Sequence, residues 1–275
     1  MMNIKSIIKR LRLVIQPKNI VNATFTLKSD TNYLSDKIVL VTGGGSGFGY
    51  EIAKRFIEFG SKVIITGRNE EKLKNAVKSI GSQNIKYLVW DLCDVSIAKD
   101  KIAEANTIWG NINVAINNAG VWTPKNWKDI DEKEWDKILD TNLKGLFFIC
   151  QAQGEVMSNA NTSASKIINI TSIEGVRGGF GPYYASKWGA NGITRGMAKT
   201  FIKNNIVVNA IAPGMGITDI NPNLPKDGNL SLPYNLNGRY VTVEEIAETA
   251  CFLASDAANS IVGQVIVVDG GMSLY

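Results

Sequence analysis

Short apolar runs rich in β-branched residues alternate with longer amphipathic stretches from Asp36 onward, and this rhythm restricts the possible folds more than any other feature of the chain. Two parallel strands need a crossover long enough to carry a helix. Repeated strand and helix units therefore predict an α/β fold, a doubly wound parallel sheet of about seven strands with helices on both faces. The predicted strands are Ile38–Thr42, Val63–Thr66, Ile85–Trp90, Val114–Asn117, Lys166–Ile170, Val207–Ala210 and Gln264–Val268, and the predicted helices are Tyr50–Phe59, Glu70–Ser79, Ile97–Thr107, Glu132–Met157, Tyr184–Lys203 and Val243–Leu253.

The length and apolar content of the chain fit a single domain of this kind. Its 275 residues, 45% of them apolar, are enough to bury a complete core. We expect residues 36–275 to form the domain, with the irregular segment 216–240, rich in proline and asparagine, as a loop over a substrate site. Residues 1–35 form a basic N-terminal extension in which Ile4, Ile7 and Ile8 share one helical face. This pattern is typical of a short helix that packs on the domain or on a neighbouring subunit, or that docks on a membrane surface.

The absence of histidine, the wide separation of the cysteines and the dispersed charge exclude several classes of protein. The sequence has no histidine, which excludes Ser-His-Asp triads, Cys-His dyads and His-ligated zinc. Cys93, Cys150 and Cys251 stand far apart, so we expect no metal site, no disulfide framework and a reducing, cytoplasmic setting. The net charge of +5 is too dispersed to predict nucleic-acid binding. No apolar run approaches the roughly 18 to 20 residues that an integral membrane segment needs.

A glycine-rich turn, Thr42 to Gly49, follows the first predicted strand and opens a helix. Glycines at such a turn let backbone amides approach a pyrophosphate, and the helix N-terminus adds partial positive charge. The second strand ends in Thr66-Gly67-Arg68-Asn69, where no carboxylate is present to bind ribose hydroxyls and Arg68 offers a guanidinium suited to a 2′-phosphate. The turn predicts dinucleotide binding. Arg68 favours NADP(H), with NAD(H) as the alternative if Arg68 is only a solvated loop residue.

Further motifs follow this turn in a fixed order from about Asp36 to the C-terminus, and with them the chain resembles the short-chain dehydrogenase/reductase family. YxxxK alone would occur by chance in many proteins, but the order and spacing of the whole set are typical of the family. The matching segments are TGxxxGxG at Thr42–Gly49, Asp91-Leu92 after the third strand, Asn117-Asn118-Ala119-Gly120, Asn142 in Thr-Asn-Leu-Lys-Gly, Ser172 after the fifth strand, YxxxK at Tyr183–Lys187, Pro213-Gly214 with Thr218, and Val268-Asp269-Gly270-Gly271.

The resemblance implies a Rossmann-type fold and an oxidoreductase that transfers a hydride between NADP(H) and an alcohol or carbonyl substrate. It implies a catalytic set of four residues, Asn142, Ser172, Tyr183 and Lys187. It also implies a cofactor-binding set consisting of Gly43, Gly45, Ser46, Gly47, Phe48, Gly49, Arg68, Asp91, Leu92, Asn118, Ala119, Gly120, Tyr183, Lys187, Pro213, Gly214, Ile217 and Thr218.

Tyrosine has an ordinary pKa near 10 and needs help to act as a base at neutral pH. Lys187 is one helical turn from Tyr183, so we expect its ammonium to lower the pKa of Tyr183. Ser172 is expected to hold the substrate oxygen. By analogy with the family, Lys187 also holds the nicotinamide ribose, Asn142 orders a water that links Lys187 to solvent, and Thr218 contacts the carboxamide.

Two departures from the family pattern concern the active site. Ser172 and Tyr183 are 11 positions apart, about two fewer than is common in the family, which predicts a shortened loop between them. Thr171 is the alternative source of the hydroxyl, although Ser172 occupies the family's position. Tyr184 neighbours Tyr183 but lacks the four-residue spacing to Lys187, so we expect Tyr184 to serve in packing.

The substrate is expected to contact the loop after Gly120, the segment 174–180 and the segment 216–239, with an apolar or stacking wall from Trp122, Phe180 and Tyr234. No arginine cluster predicts a phosphorylated or carrier-bound substrate, and a sugar or polyol, a steroid-like alcohol, a 3-oxoacyl group and a small xenobiotic ketone stay open as substrates. The main alternative function is a dinucleotide-sensing protein without catalysis, and a third is a nucleotide-sugar epimerase. Family habit implies a homo-oligomer, a tetramer or dimer, with the apolar C-terminal residues 272–275 as one candidate interface.

Overall fold

The computed structural model describes residues 32–159, 164–218, 220 and 230–274. Its centre is a parallel sheet of seven strands in the order β3-β2-β1-β4-β5-β6-β7. The strands are β1 (Ile38–Thr42), β2 (Lys62–Gly67), β3 (Ile85–Val89), β4 (Val114–Asn117), β5 (Ser165–Ile170), β6 (Ile206–Pro213) and β7 (Val265–Val268). The predicted α/β fold is confirmed, and each predicted strand is present to within three residues at either end.

The helices are α1 (Gly47–Glu58), α2 (Glu70–Ile80), α3 (Ala98–Trp109), α4 (Glu132–Leu139), α5 (Leu146–Ser158), α6 (Pro182–Phe201) and α7 (Val243–Ala254). A π-helical turn, Asp140–Gly145, joins α4 to α5, so the single helix predicted over Glu132–Met157 is continuous but locally widened. α6 begins at Pro182, because proline is tolerated at the first position of a helix, where no intrahelical N–H bond is lost.

Two apolar cores cover the two faces of the sheet. Alternate residues of β1 show the division, since Val39 and Val41 point into one core and Leu40 into the other. α1, α2 and α7 pack on the first face, and α3, α5 and α6 pack on the second. β6 is buried over its whole length, as expected for a parallel strand covered on both sides.

The strand order reverses between β1 and β4, which pair in register from Val39 with Val114 to Thr42 with Asn117. The crossovers leave a crevice at the carboxyl ends of the strands where the order reverses, and this is where open α/β sheets bind ligands. Both the glycine-rich turn after β1 and the segment after β4 open into this crevice.

The N-terminal extension lies outside the described residues except for its last few positions. Leu34 is buried against the first core, and its backbone N–H donates to the carbonyl oxygen of Phe59 at 3.2 Å. Among the residues that the structure describes, no helix is long and apolar enough to cross a membrane.

Candidate active site

An elongated cavity of about 560 Å³ lies at the carboxyl ends of the strands. It extends from Arg68 after β2, past the glycine-rich turn, to Tyr183 and Lys187 in α6. The predicted site residues that line it are Gly43, Ser46, Gly47, Phe48, Arg68, Asp91, Leu92, Asn118, Ala119, Gly120, Ser172, Tyr183, Lys187, Pro213, Gly214 and Thr218.

The glycine-rich turn cannot accept side chains at two of its positions. Gly43 has a φ of +67°, and a Cβ there would lie 2.9 Å from the Cα of Ala119. A Cβ at Gly49 would lie 2.4 Å from the carbonyl oxygen of Gly43. Ser46 precedes α1 without a side-chain cap, so the first-turn amides of α1 keep their donors free for a ligand.

Thr42 and Asn118 tie the glycine-rich turn to the end of β4. The Thr42 hydroxyl accepts the backbone N–H groups of Asn118 and Ala119, both at 3.0 Å. The Asn118 side chain donates in return to the carbonyl oxygens of Thr42, at 3.0 Å, and Gly43, at 3.2 Å. These bonds fix the floor of the cavity between the two strands at which the sheet order reverses.

The far end of the cavity is formed by residues that follow β2 and β3. Arg68 is exposed there, and within the described part of the chain its side chain has no hydrogen-bond or ion-pair partner. The Thr66 hydroxyl and the Trp90 indole N–H are buried beside it without partners in that same part. Unpartnered polar groups and a free guanidinium are the features expected of a site that binds a polar ligand.

Ser172, Tyr183 and Lys187 meet at the other end. Ser172 follows β5 and lines the cavity with Tyr183, near enough for its hydroxyl to lower the pKa of the phenol. Lys187 is buried, with its Nζ 5.6 Å from the centroid of the Tyr183 ring and 3.2 Å from the carbonyl oxygen of Ile170, to which it donates. The Thr171 hydroxyl instead donates to the backbone of Ile211, so Ser172 is the hydroxyl that faces the cavity.

The expected effect of Lys187 on the pKa of Tyr183 is not found. The pKa of Tyr183 is raised to about 12, mainly by burial and further by the Glu174 charge, while the nearby Ser172 hydroxyl acts to lower it. Burial also lowers the pKa of Lys187 to about 8. The prediction was wrong because it counted charge proximity and not desolvation, which disfavours both charged forms.

Asn142 lies in the π-helical turn and makes a different set of contacts from those expected. Its side chain accepts the N–H of Val121 and donates to the carbonyl oxygen of Val121, both at 2.8 Å, and donates to Ser186 at 3.2 Å. It therefore clamps the loop after β4 onto α6 and does not line the cavity. Its implied role in ordering a water stays a prediction.

Three predicted cofactor residues also lie behind the cavity wall. Gly45 and Gly49 pack beneath the turn, and Ile217 packs against a small cluster that contains Leu232 and Tyr240. Thr218 faces the cavity, close to Gly47, whose Cβ position is 3.3 Å from the Thr218 Cβ. The lining residues outside the predicted sets and the predicted substrate segments are Thr66, Gly67, Trp90, Thr141, Ile170, Thr171, Ile173, Tyr184, Met215 and Met272. Five of them, Thr66, Gly67, Trp90, Ile170 and Thr171, lie at the end of a strand or directly after it, and this position is the signal that could have identified them.

The substrate end differs from the prediction in its aromatic residues. Trp122 lines the cavity, but Phe180 and Tyr234 are each 61% exposed and do not. Tyr184, predicted to serve only in packing, lines the cavity and stacks on Phe180 with ring centroids 6.2 Å apart. Gly179 lies directly against the Tyr184 ring, where there is no space for a side chain.

The residues present fit a nicotinamide dinucleotide. The uncapped first turn of α1 offers backbone N–H groups to a pyrophosphate, and the unpartnered polar groups at the Arg68 end fit an adenosine moiety. The fold and this site together define an oxidoreductase that uses a nicotinamide dinucleotide. The chain belongs to the short-chain dehydrogenase/reductase family, since the family model described as enoyl-(acyl carrier protein) reductase matches residues 43–273.

Curated relatives and a solved structure agree with this membership. The 3-oxoacyl-[acyl-carrier-protein] reductase FabG of Chlamydia muridarum is 38% identical over 87% of this chain and 98% of its own length. Gluconate 5-dehydrogenase of Gluconobacter oxydans is 32% identical over 88% of this chain and 96% of its own. The crystal structure of a single-substitution variant of actinorhodin polyketide ketoreductase with NADPH superimposes with a TM-score of 0.78 at 28% identity, covering 88% of this chain and 99% of that one.

Proposed function

We propose that this protein is an NADP(H)-dependent enzyme that interconverts a carbonyl compound and its alcohol, with Tyr183 as proton donor and acceptor. One observation carries the proposal: the side chains of Ser172 and Tyr183 line the same cavity beside buried Lys187. When bound, NADPH supplies the hydride that the carbonyl carbon accepts. Ser172 holds the carbonyl oxygen, and Tyr183, whose raised pKa keeps it protonated at neutral pH, donates the proton that completes the alcohol.

In the oxidative direction Tyr183 accepts the hydroxyl proton, which its raised pKa opposes. Positive charge near the phenol lowers that cost. Lys187 alone does not hold the pKa of Tyr183 below its ordinary value, so the charge of a bound oxidised nicotinamide would be needed to favour the phenolate. Asn142 supports the site indirectly by holding the loop at Val121 against α6.

The test is Tyr183→Phe, which removes one hydroxyl. We expect NADPH binding, followed by cofactor fluorescence, to change less than about threefold, and reduction of a panel of ketones and 3-oxoesters to fall by about 10² or more. Tyr87→Phe is the matched control, because Tyr87 lies on β3 outside the cavity, where its hydroxyl donates to Glu70. A wild-type protein that binds NADPH but is inert across the panel would instead support a dinucleotide sensor.

NADP(H) is proposed over NAD(H) because of Arg68. Its free guanidinium lies at the end of the cavity where no carboxylate follows β2. Arg68→Ala is expected to lower kcat/KM for NADPH by about tenfold or more and to leave that for NADH nearly unchanged. A wild-type preference for NADH would contradict this assignment.

A homo-oligomer, dimer or tetramer, is proposed from an apolar face on α5 and α6. Phe147 and Phe148 are partly exposed there, and they edge an open groove with Leu143, Gly189 and Ile193. Phe147→Glu is expected to shift wild-type oligomers to smaller species in sedimentation experiments. In the C-terminal segment predicted as an interface, Met272 is buried and lines the cavity, Leu274 is 78% exposed and Tyr275 lies outside the described residues, so this interface stays a prediction.

The proposal also includes a reducing, cytoplasmic setting. Cys93, Cys150 and Cys251 are free thiols, and the last two are buried. Cell fractionation against a cytoplasmic marker tests this location.

A further inference from the structure

The substrate end of the cavity contains one pair of opposite charges. Of the charged lining residues, Arg68 and Asp91 lie at the adenosine end and Lys187 belongs to the catalytic group. Glu174 and Arg177 are the charged residues that remain within the described lining. The uncharged lining residues on this side are mostly apolar, namely Val121, Trp122, Ile173, Met215, Ile220 and Met272.

Glu174 and Arg177 are joined by two hydrogen bonds. Arg177 Nη2 donates to Glu174 Oε1 at 2.6 Å and Arg177 Nε donates to Glu174 Oε2 at 3.0 Å. The Glu174 side chain is 17% exposed and that of Arg177 is 38% exposed. Bidentate pairing of this kind satisfies both carboxylate oxygens and leaves the arginine charge compensated.

The turn that carries the pair is fixed at both ends. The backbone N–H of Glu174 donates to the Ser172 hydroxyl at 3.1 Å, so Glu174 sits directly beside the proposed catalytic serine. The Trp188 indole N–H donates to the carbonyl oxygen of Arg177 at 3.1 Å, and the Asn191 amide donates to that of Gly175 at 2.8 Å. The guanidinium is therefore held near the cavity by a rigid turn and not by a mobile loop.

We propose that Glu174 is a specificity-determining residue that makes this enzyme select uncharged carbonyl substrates and reject substrates with a carboxylate near the reacting carbonyl. The inference rests on the proposed function of the same site. A substrate carboxylate could reach Arg177 only by displacing Glu174, and it would then lie beside the Glu174 charge in a half-buried pocket, where repulsion is weakly screened. Without the Glu174 charge, Arg177 becomes a free guanidinium that binds carboxylates.

The test compares ethyl acetoacetate with acetoacetate, which carry the same reacting ketone but differ in charge. For the wild type we expect kcat/KM to favour the ester. Glu174→Gln should raise the ratio of kcat/KM for acetoacetate to that for the ester by about tenfold or more. The double variant E174Q/R177M should lose this gain, because the binding guanidinium is gone.

Glu248→Gln is the matched control. Glu248 also binds one arginine, Arg55, through two nitrogens, but this pair lies on α1 and α7 outside the cavity, so its loss should leave the ratio unchanged. If Glu174→Gln turns over the ester while its ratio stays within about twofold of the wild type, Glu174 has no part in substrate selection and the proposal is overturned. If the Glu174–Arg177 pair has only a structural role, its loss should lower kcat/KM for both compounds together.

Ligand binding separates this proposal from the proposed function. Trp122 lines the cavity, so its fluorescence can follow titrations of either compound into the protein with NADP⁺ present. If the wild type reduces neither compound, the proposed function fails for them, but tighter acetoacetate binding by Glu174→Gln would still support the inference. Equal acetoacetate affinities in the two proteins would overturn it.

Discussion

Burial shifts the pKa values of individual residues at the site more than their neighbouring groups do. Tyr183 and Lys187 each keep the uncharged form over a wider pH range than they would in water, because neither is surrounded by solvent. For the proposed reaction this favours ketone reduction, in which a protonated phenol is required. Oxidation needs the phenolate and should respond more strongly to pH.

The lowered pKa of Lys187 predicts a pH dependence of kcat/KM for ketone reduction. A lysine whose pKa falls to about 8 carries its charge below pH 8 and loses it above, whereas an ordinary lysine stays charged to about pH 10. If the ammonium assists proton transfer, kcat/KM for ketone reduction should be level from about pH 6 to 7.5 and should decline above about pH 8. A pH profile with a saturating cofactor checks this, and a level profile up to about pH 10 would contradict it.

Motif residues were predictable at this scale because their chemistry is local. The glycine turn, Ser172, Tyr183 and Lys187 face the cavity as the sequence indicated. The pKa of Tyr183 was not predictable, since it depends on burial that spacing along a helix does not reveal. The contact of Asn142 with Val121 was missed for a similar reason, because the two are 21 positions apart.

Among the elements, α6 does the most to assemble the site. Its first turns carry Tyr183 and Lys187, while Thr194 and Ala198 further along pack against the sheet. Its outer side carries exposed glycines with open space around them. An alanine in place of one of these exposed glycines should stabilise the protein. An alanine in the tightly packed glycine turn of α1 should destabilise it.

Gly192→Ala is expected to stabilise the protein by about 0.5–1 kcal/mol. Gly192 lies within α6, is exposed, and an added Cβ there meets nothing within 4 Å, so alanine only removes freedom from the unfolded chain. The free energy of unfolding in urea measures the change. Gly49→Ala is the contrasting variant, since its Cβ would strike the backbone of Gly43, and we expect lower stability and weaker NADPH binding. A destabilised Gly192→Ala would show that this face of α6 is covered.

The positions of strands and helices were predicted well because apolar residues recur at different spacings in the two kinds of element. Boundaries were less accurate where local chemistry decides them, as at Pro182, or where the helix geometry changes, as in the π-helical turn at Asp140–Gly145. That turn inserts extra backbone into an otherwise regular helix, and the apolar period on either side contains no sign of it.

At the scale of the whole molecule, a buried polar network connects the two sides of the active site. The amides of Asn117 and Gln153 bond to each other at 3.0 and 2.9 Å, Asn117 donates to Asn169 at 2.9 Å, and Asn169 donates to Thr194 at 2.9 Å. These residues belong to β4, α5, β5 and α6 in turn, and all are at least nine-tenths buried. The network fixes both helices relative to the strands that end at the cavity.

Gln153→Leu is expected to destabilise the protein by about 1–3 kcal/mol, because it leaves the Asn117 amide buried with unmet hydrogen bonds. Denaturant unfolding measures the effect. Gln264→Leu, at an exposed position, is the control and should change stability by less than about 0.5 kcal/mol. A neutral Gln153→Leu would mean that the surrounding polar groups find other partners.

The overall architecture was predictable because alternating strands and helices leave few ways to bury their apolar faces. The interior amide network was not, since its four members are spread over 78 positions of the chain, from Asn117 to Thr194, and each alone would be expected on the surface.

α6 also has a practical consequence for anyone who engineers this protein. The side of the helix that edges the open groove, at Gly189 and Ile193, is within two turns of Lys187 on the opposite side. A surface tether, an immobilisation support or a solubilising charge placed on that outer side would act on the helix that also positions the proposed proton donor. Such modifications should be assayed for turnover as well as for yield.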